Sequence, residues 1–352
     1  MSAVPSLQDT PVAGGTDEAA RLFADLHAGH PRALSRALTW AESGHPRAHA
    51  LMSAICREAP VPWVIGVTGV GGAGKSTLVP LIARQFARDG MRVGILAVDP
   101  SSPFSGGALL GDRIRDTGEA QPSVFFRSVA TRGGSGALAG CVNDLVRVMG
   151  AAGFGIVLVE TVGAGQSEVA VMELAHSVVL VCAPGLGDEV QAIKAGVMEV
   201  ANLVVVNKCD LPGADAAAQT LRQALALPVK AQHLQEGRND APGAPARWHA
   251  PVLLTNGMRG DGVAGLADRL HAHRQMLRDN GDDVARDRRR DRWRAQQLFV
   301  QLVVERADAA SRNEWPALEQ RMAEHSLDPW TAARHAADAV APVAQQNAPE
   351  TP

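Results

Sequence analysis

Hydrophobic positions follow two periodicities along the chain. Over residues 17–58 they recur at helical spacing in three stretches, 17–28, 31–43 and 46–58, with Leu34, Ala37, Leu38 and Ala41 on one side of the second. From residue 61, short continuous apolar runs alternate with helical stretches. Runs at 63–68, 92–98, 155–160, 177–182, 203–207 and 251–255 predict strands, with a further one near 123–127. Runs apolar at every position belong to strands covered on both faces, so the pattern predicts an α/β fold with a mostly parallel central sheet. A helix is predicted over 263–280 and a long one over about 284–310, whose apolar side carries Trp293, Leu298, Phe299, Leu302 and Val303. Pro80, inside the helix that follows the first strand, predicts a local kink because its ring opposes the Ser76 carbonyl.

Polar residues gather where the strand runs end. Their carboxyl ends carry, in order, a glycine-rich loop, Asp99, Glu160, Pro184-Gly185, Asn207 and Thr255. A parallel sheet binds its ligand at that edge. The glycine-rich stretch, VIGVTGVGGAGKSTL at 64–78, is a phosphate-binding loop of a P-loop NTPase. Gly69, Gly71, Gly72, Ala73 and Gly74 let the backbone turn N–H groups toward an anion, and Lys75, Ser76 and Thr77 open a helix whose positive end faces the same place. Lys75 is the mobile cation for the β- and γ-phosphates, and the Ser76 hydroxyl is a ligand for Mg2+.

Asp99, Asp112 and Glu160 are the candidate carboxylates for the metal, directly or through water. Glu160 also fits water activation, and the Gly163 N–H fits contact with the γ-phosphate. No glutamine directly follows Gly163, and Gln166 comes three residues later, so slow intrinsic hydrolysis is expected. Asn207-Lys208-Cys209-Asp210 selects the base. The Asp210 carboxylate accepts from the N1–H and 2-amino group of guanine, whereas adenine presents an acceptor at that ring nitrogen. The nucleotide is therefore GTP, with GDP as product.

Composition narrows the function further. The chain has 352 residues, 46% of them hydrophobic, with a net charge of -3. That balance gives no general attraction to nucleic acid or to an anionic membrane. No apolar run reaches the roughly 18 residues of a membrane span, and the start lacks a signal peptide's apolar centre, so a cytoplasmic protein is expected. Cys56, Cys141, Cys182 and Cys209 form no CxxC pair. Of 34 basic residues only Lys75, Lys194, Lys208 and Lys230 are lysines, and two of these lie in the nucleotide motifs. The arginines at 286, 288, 289, 290, 292 and 294, interleaved with Asp287 and Asp291, predict a salt-bridged, solvated helix face. The repeated Gly-His-Pro-Arg-Ala at 29–33 and 44–48 reads as helix punctuation, glycine ending one helix and proline opening the next.

The expected organisation is a disordered start and helical extension over 1–60, a GTPase domain over 61–280, a helical region over 281–337 and a disordered tail over 338–352. Within the second part, 235–247 reads as a surface loop. A helix as long as 284–310 needs something to pack on, and another subunit is the natural candidate.

Taken together these residues resemble a known family, the P-loop GTPases that act as chaperones for adenosylcobalamin-dependent acyl-CoA mutases. The resemblance rests on GVTGVGGAGKST at 66–77, AVDPSSPFSGGALLGDR at 97–113, TRGGSGAL at 131–138, VETVGAGQSE at 159–168, GDEVQAIKAG at 187–196 and NKCD at 207–210, and it extends to SLDPWTAA at 326–333. It implies a homodimer built partly on a C-terminal helical dimerisation arm, and GTP hydrolysis stimulated by the mutase. It implies three switches, at 99–112, 160–167 and 183–194, with Asp188, Gln191 and Lys194 coupling hydrolysis to the partner. Where the family tends to have Ser-Ala for the guanine carbonyl this chain has Thr255-Asn256, though a backbone N–H could still serve. The mutase could act on methylmalonyl-CoA, isobutyryl-CoA or 2-hydroxyisobutyryl-CoA. Two other functions compete: a metal-delivery GTPase, which would need a Cys/His cluster where the chain offers His271-Ala272-His273, and an ATP-dependent kinase linked to basic amino-acid transport, against which Asp210 argues.

Overall fold

The computed structural model describes residues 15–100, 123–131, 135–161, 172–185, 197–226 and 248–340. Seven strands form one all-parallel sheet: β1 (Trp63–Thr68), β2 (Val93–Pro100), β3 (Val124–Thr131), β4 (Ile156–Thr161), β5 (Ser177–Cys182), β6 (Leu203–Val206) and β7 (Val252–Leu254), in the spatial order β3-β2-β4-β1-β5-β6-β7. The six expected runs are strands within two residues of their predicted ends, and the further one is β3. Along the sheet β2 lies to one side of β1, beyond β4, and β5 lies directly on its other side. Strand order therefore reverses at β1, which opens the ligand crevice there.

Uninterrupted burial along β1, β4, β5 and β6 follows from helices on both faces. Val179, Val181, Leu203 and Val205 meet α4 (Lys75–Arg88) and α8 (Val263–Asp279) through Leu78, Ile82, Phe86, Leu266 and Leu270. The alternate residues Leu180, Cys182, Val204 and Val206 meet α7 (Ala214–Ala226), which presents Ala217, Ala218 and Leu221. The period-two alternation of a strand turns one apolar run into two cores. Helix α4 continues past Pro80, which lies within it. A short helix, α6 (Val197–Val200), precedes β6.

The N-terminal helices α1 (Gly15–His27), α2 (Pro31–Ser43) and α3 (Ala48–Glu58) pack on one another and on α5 (Ser135–Ala151). Gly29 and Gly44 are left-handed, and the Gly44 N–H caps the Trp40 carbonyl. Pro31 opens α2 as expected. Pro46 does not open α3, which begins at Ala48 after a turn in which the Arg47 N–H donates to His45 Nδ1 (3.2 Å). The His45 ring stacks on Trp40, centroids 4.5 Å apart, so it serves as packing.

The chain divides into two compact units, Met1–Arg290 and Asp291–Pro352, and the division falls inside the long helix α9 (Asp282–Ser311). In the second unit α10 (Trp315–Ala323) and α11 (Pro329–Val340) close a small core of Leu318, Ala332 and Ala336. Phe299, Val300, Leu302, Val303 and Val304 of α9 and Trp330 of α11 are exposed. No helix among the described residues is long and apolar enough to cross a membrane.

At the amino-terminal edge of the sheet Trp63 Nε1 donates to Ser177 Oγ (3.2 Å), which lies 2.8 Å from His273 Nδ1. Burial, aided by Arg286 and His176, pushes the His273 imidazole down to about 3 from 6.5. The unfolded chain therefore binds a proton there that the folded one refuses. Stability from this group is whole above pH 6.5 and falls as the pH drops toward about 3, by up to about 1.4 kcal/mol per pH unit. His273→Gln should flatten the fall of the urea midpoint between about pH 7 and about pH 5. An unchanged slope would assign the linkage to other groups.

Candidate functional site

The phosphate-binding loop leaves β1 at Gly69, where the chain turns with φ +140° against the neighbouring strand. A Cβ there would stand 2.0 Å from the Val181 carbonyl oxygen, so only glycine fits under β5. Gly74, left-handed at the N-cap of α4, ends the loop. The buried Lys75 ammonium donates to the carbonyls of Gly69 and Val70 (3.0 Å to the latter), which holds it at the loop. Ser76 Oγ donates to Glu160 Oε1. Glu160 lies opposite Val67 in the β1–β4 ladder and is 4% exposed.

Two neighbouring hydroxyls, Thr68 Oγ1 before the loop and Thr161 Oγ1 after Glu160, are buried and have no hydrogen-bond partner among the described residues. The Ser76 hydroxyl and the Glu160 carboxylate, already in contact, are hard-oxygen donors of the kind that suits Mg2+. Asp99 stands at the end of β2, in register with Ala130 of β3. Asp112, Gly163, Asp188, Gln191 and Lys194 lie outside the described residues.

Asn207 joins the phosphate side to the base side. Its N–H donates to the Cys182 carbonyl (2.8 Å), and its Nδ2 donates to the Ala73 carbonyl inside the phosphate loop (2.9 Å). Its Oδ1 accepts from the Gly257 N–H (2.8 Å) and the Thr255 hydroxyl (3.2 Å). The side chain is 2% exposed and its hydrogen bonds reach two separate loops. Lys208 adopts a left-handed backbone, φ +58°, and its Cε lies 4.0 Å from where a Cβ of Gly74 would be, so its stem runs beside the phosphate loop. The Cys209 side chain packs into the core between β5, β6 and α7 and leaves the base motif to its neighbours.

The residues after β7 do something the motif spacing does not reveal. The backbone N–H groups of this pair are both engaged, that of Thr255 with the Val206 carbonyl (3.0 Å) and that of Asn256 with the Asp261 carbonyl (3.0 Å). It is their side chains that face the site. Asn256 Oδ1 accepts from the N–H groups of Met258 and Arg259 (2.9 and 3.0 Å), which fixes the amide so that Nδ2 donates to Asp210 Oδ1 (2.8 Å). The remaining lone pairs of the Asp210 carboxylate are then available to the two guanine donors.

A parallel sheet with a P-loop at its switch point and an Asn-Lys-x-Asp motif bonded to that loop defines a P-loop GTPase. The profile of the family described as methylmalonyl Co-A mutase-associated GTPase MeaB matches residues 34–312, and the chain belongs to that family. It binds guanine nucleotide and hydrolyses GTP. A Pyrococcus abyssi protein whose name also reads GTPase is 37% identical over 314 residues, which covers 89% of this chain and 94% of the relative. The mouse protein named methylmalonic aciduria type A homolog, mitochondrial, is 29% identical over 330 residues, 89% of this chain and 77% of the relative. A crystal structure described as LAO/AO transport system kinase superposes with a TM-score of 0.61 at 26% identity, covering 92% of this chain and 97% of that one.

Asn207→Ala strips a buried carbonyl and a buried N–H of their partners, so it should cost about 2–4 kcal/mol of stability, read from urea unfolding, and weaken GDP binding in calorimetry. Gly69→Ala should abolish GDP binding, since the loop must move off Val181 to admit the methyl group.

Proposed function

We propose that this GTPase is a chaperone that gates adenosylcobalamin loading and protects or reactivates an adenosylcobalamin-dependent acyl-CoA mutase, methylmalonyl-CoA mutase or a relative acting on isobutyryl- or 2-hydroxyisobutyryl-CoA. The observation that carries this reading is the family match, which spans the whole nucleotide site and whose description names methylmalonyl-CoA mutase. The mouse relative's name points to the same metabolism. The working form in this reading is a cytoplasmic homodimer joined partly through the C-terminal helices, with a GTPase domain over 61–280 and a dimerisation arm over 281–337. The exposed apolar run of α9 supports that arm.

In this reading Lys75 neutralises the β- and γ-phosphates, and the Asn207 amide keeps the phosphate loop in step with the base motif. Ser76 and Glu160, with Asp99 and Asp112 as further carboxylates, would hold Mg2+, which supplies charge neutralisation at the phosphates when bound. Glu160 and Gly163 orient the attacking water and the γ-phosphate. Asp188, Gln191 and Lys194 transmit the mutase's presence to that centre. The free energy of hydrolysis biases protein conformation, as nucleotide-dependent switch loops do.

A second reading comes from the solved structure, whose description is that of a transport system kinase. The two are separated by hydrolysis assays with GTP and ATP, the protein alone and with each candidate mutase in turn. A slow GTP-specific rate raised by one mutase is expected. A rate that no mutase moves would remove the chaperone reading, and ATP preference would favour the kinase. Lys75→Ala should abolish turnover. Lys194→Ala should keep the intrinsic rate and lose the stimulation, and retained stimulation would show that Lys194 does not couple the partner.

A further inference from the structure

Outside α9, α10 and α11, the exposed large apolar side chains among the described residues are Phe126, Leu211 and Met258. Two of these stand at the base motif. Leu211 follows Asp210 in the chain, and Met258 is joined to Asp210 through Asn256. The Met258 N–H donates to Asn256 Oδ1 (2.9 Å), and Nδ2 of the same amide donates to Asp210 Oδ1 (2.8 Å). The Met258 backbone and the carboxylate that reads guanine are thus separated by the width of one amide group. A lone apolar side chain on a protein surface needs no explanation. A methionine 86% exposed and held at that distance from a base-reading carboxylate does.

The turn that carries Met258 is tied down along its backbone. The Asn256 N–H donates to the Asp261 carbonyl (3.0 Å), and the Asn256 carbonyl accepts from the Gly260 N–H (2.8 Å), which closes the residues between into a loop. The Gly257 N–H donates to Asn207 Oδ1 (2.8 Å), and a Cβ on Gly257 would stand 3.6 Å from the Leu78 nitrogen of α4. Asn207 in turn holds the phosphate loop at the Ala73 carbonyl. The place of Met258 relative to both the phosphates and Asp210 is therefore set by the backbone, and only its side chain is left in solvent. A flexible thioether on a fixed backbone suits a flat aromatic ring, because it offers apolar area and a polarizable sulfur without demanding a direction.

We propose that Met258 is a nucleotide-binding residue whose thioether lies against the guanine ring once Asp210 has paired with the edge of that ring. Recognition is then divided between two kinds of contact. Asp210, aimed by Asn256, chooses guanine through hydrogen bonds that the wrong base leaves unmade. Met258 adds affinity that any purine receives, since contact with a ring face reads no donors or acceptors. The proposal rests on Asp210 reading guanine and not on the identity of any partner protein.

The test is calorimetry with GDP, IDP and pyrophosphate on the unaltered protein and on Met258→Ala, Asn256→Asp and Asp210→Ala. IDP lacks the 2-amino group and pyrophosphate lacks the base. Met258→Ala should bind GDP and IDP about five- to tenfold more weakly, in equal measure, while pyrophosphate binding stays within about twofold. Asn256→Asp keeps an oxygen for the Met258 and Arg259 N–H groups but sets a carboxylate against Asp210, so it should lower the preference for GDP over IDP. GDP affinity within about twofold of the unaltered protein in Met258→Ala would overturn the proposal, as would a loss shared by pyrophosphate, which would place the effect in the loop and not at the base. GDP affinity that survives Asp210→Ala would instead remove the base reading beneath it. A direct readout is the methyl NMR signal of Met258, assigned by its absence from Met258→Ala. It should move upfield with GDP through the ring current of the base and stay in place with pyrophosphate, and a signal that GDP does not move would overturn the proposal.

Discussion

The nucleotide site depends on one buried amide. Asn207 bonds the phosphate loop with its nitrogen and the loop after β7 with its oxygen, so the distance between phosphates and base is set by a single planar group. Neither loop is rigid alone, being glycine-rich on one side and a short turn on the other. A buried amide with every donor and acceptor directed is costly to misplace, and this makes it a better spacer than apolar packing. Asn256 repeats the device one step outward: its oxygen is held by two backbone N–H groups, and its nitrogen aims the Asp210 carboxylate.

The two ends of the sheet bury polarity for different purposes. At the carboxyl ends, Lys75 and Glu160 are bonded to the loop carbonyls and to Ser76 where a ligand would bind, and the two threonine hydroxyls have no hydrogen-bond partner among the described residues. At the amino ends Asp287 bonds His176 and Arg290, His273 bonds Ser177, and the arginines bond backbone carbonyls. The first arrangement is open to exchange and the second is closed. Strand β1 belongs to both, since Val64 is bonded to His176 while Thr68 precedes the phosphate loop.

How much of this was legible in the sequence follows from the range of the forces involved. Strands buried on both faces announce themselves as unbroken apolar runs, and the phosphate loop is a local backbone necessity, so the parallel sheet and the nucleotide motifs could be placed from pattern alone. The start of α3 could not, because Pro46 suits a turn as well as a first helical turn, and the Arg47 N–H found His45. The arginine run was read as a solvated face, yet Arg290 is buried and Arg286 bonds carbonyls more than 100 residues earlier in the chain. In a run of alternating Arg and Asp no apolar period marks which members turn inward, and only the tertiary fold brings residues 174–176 to meet them. Asn256 was likewise seen as a backbone position, because its side-chain role exists only once the turn at 257–259 has formed.

Lys208 carries a tension of its own. A non-glycine residue held at φ +58° costs about 1–2 kcal/mol relative to an ordinary backbone, and glycine would relieve that cost. The fold thus retains a long cationic side chain at a place where its own thermodynamics favour having none. Any effort to make this protein more heat-resistant by relaxing strained backbone would single out this position, and it would remove the stem that lies beside the phosphate loop. Here robustness and recognition pull in opposite directions.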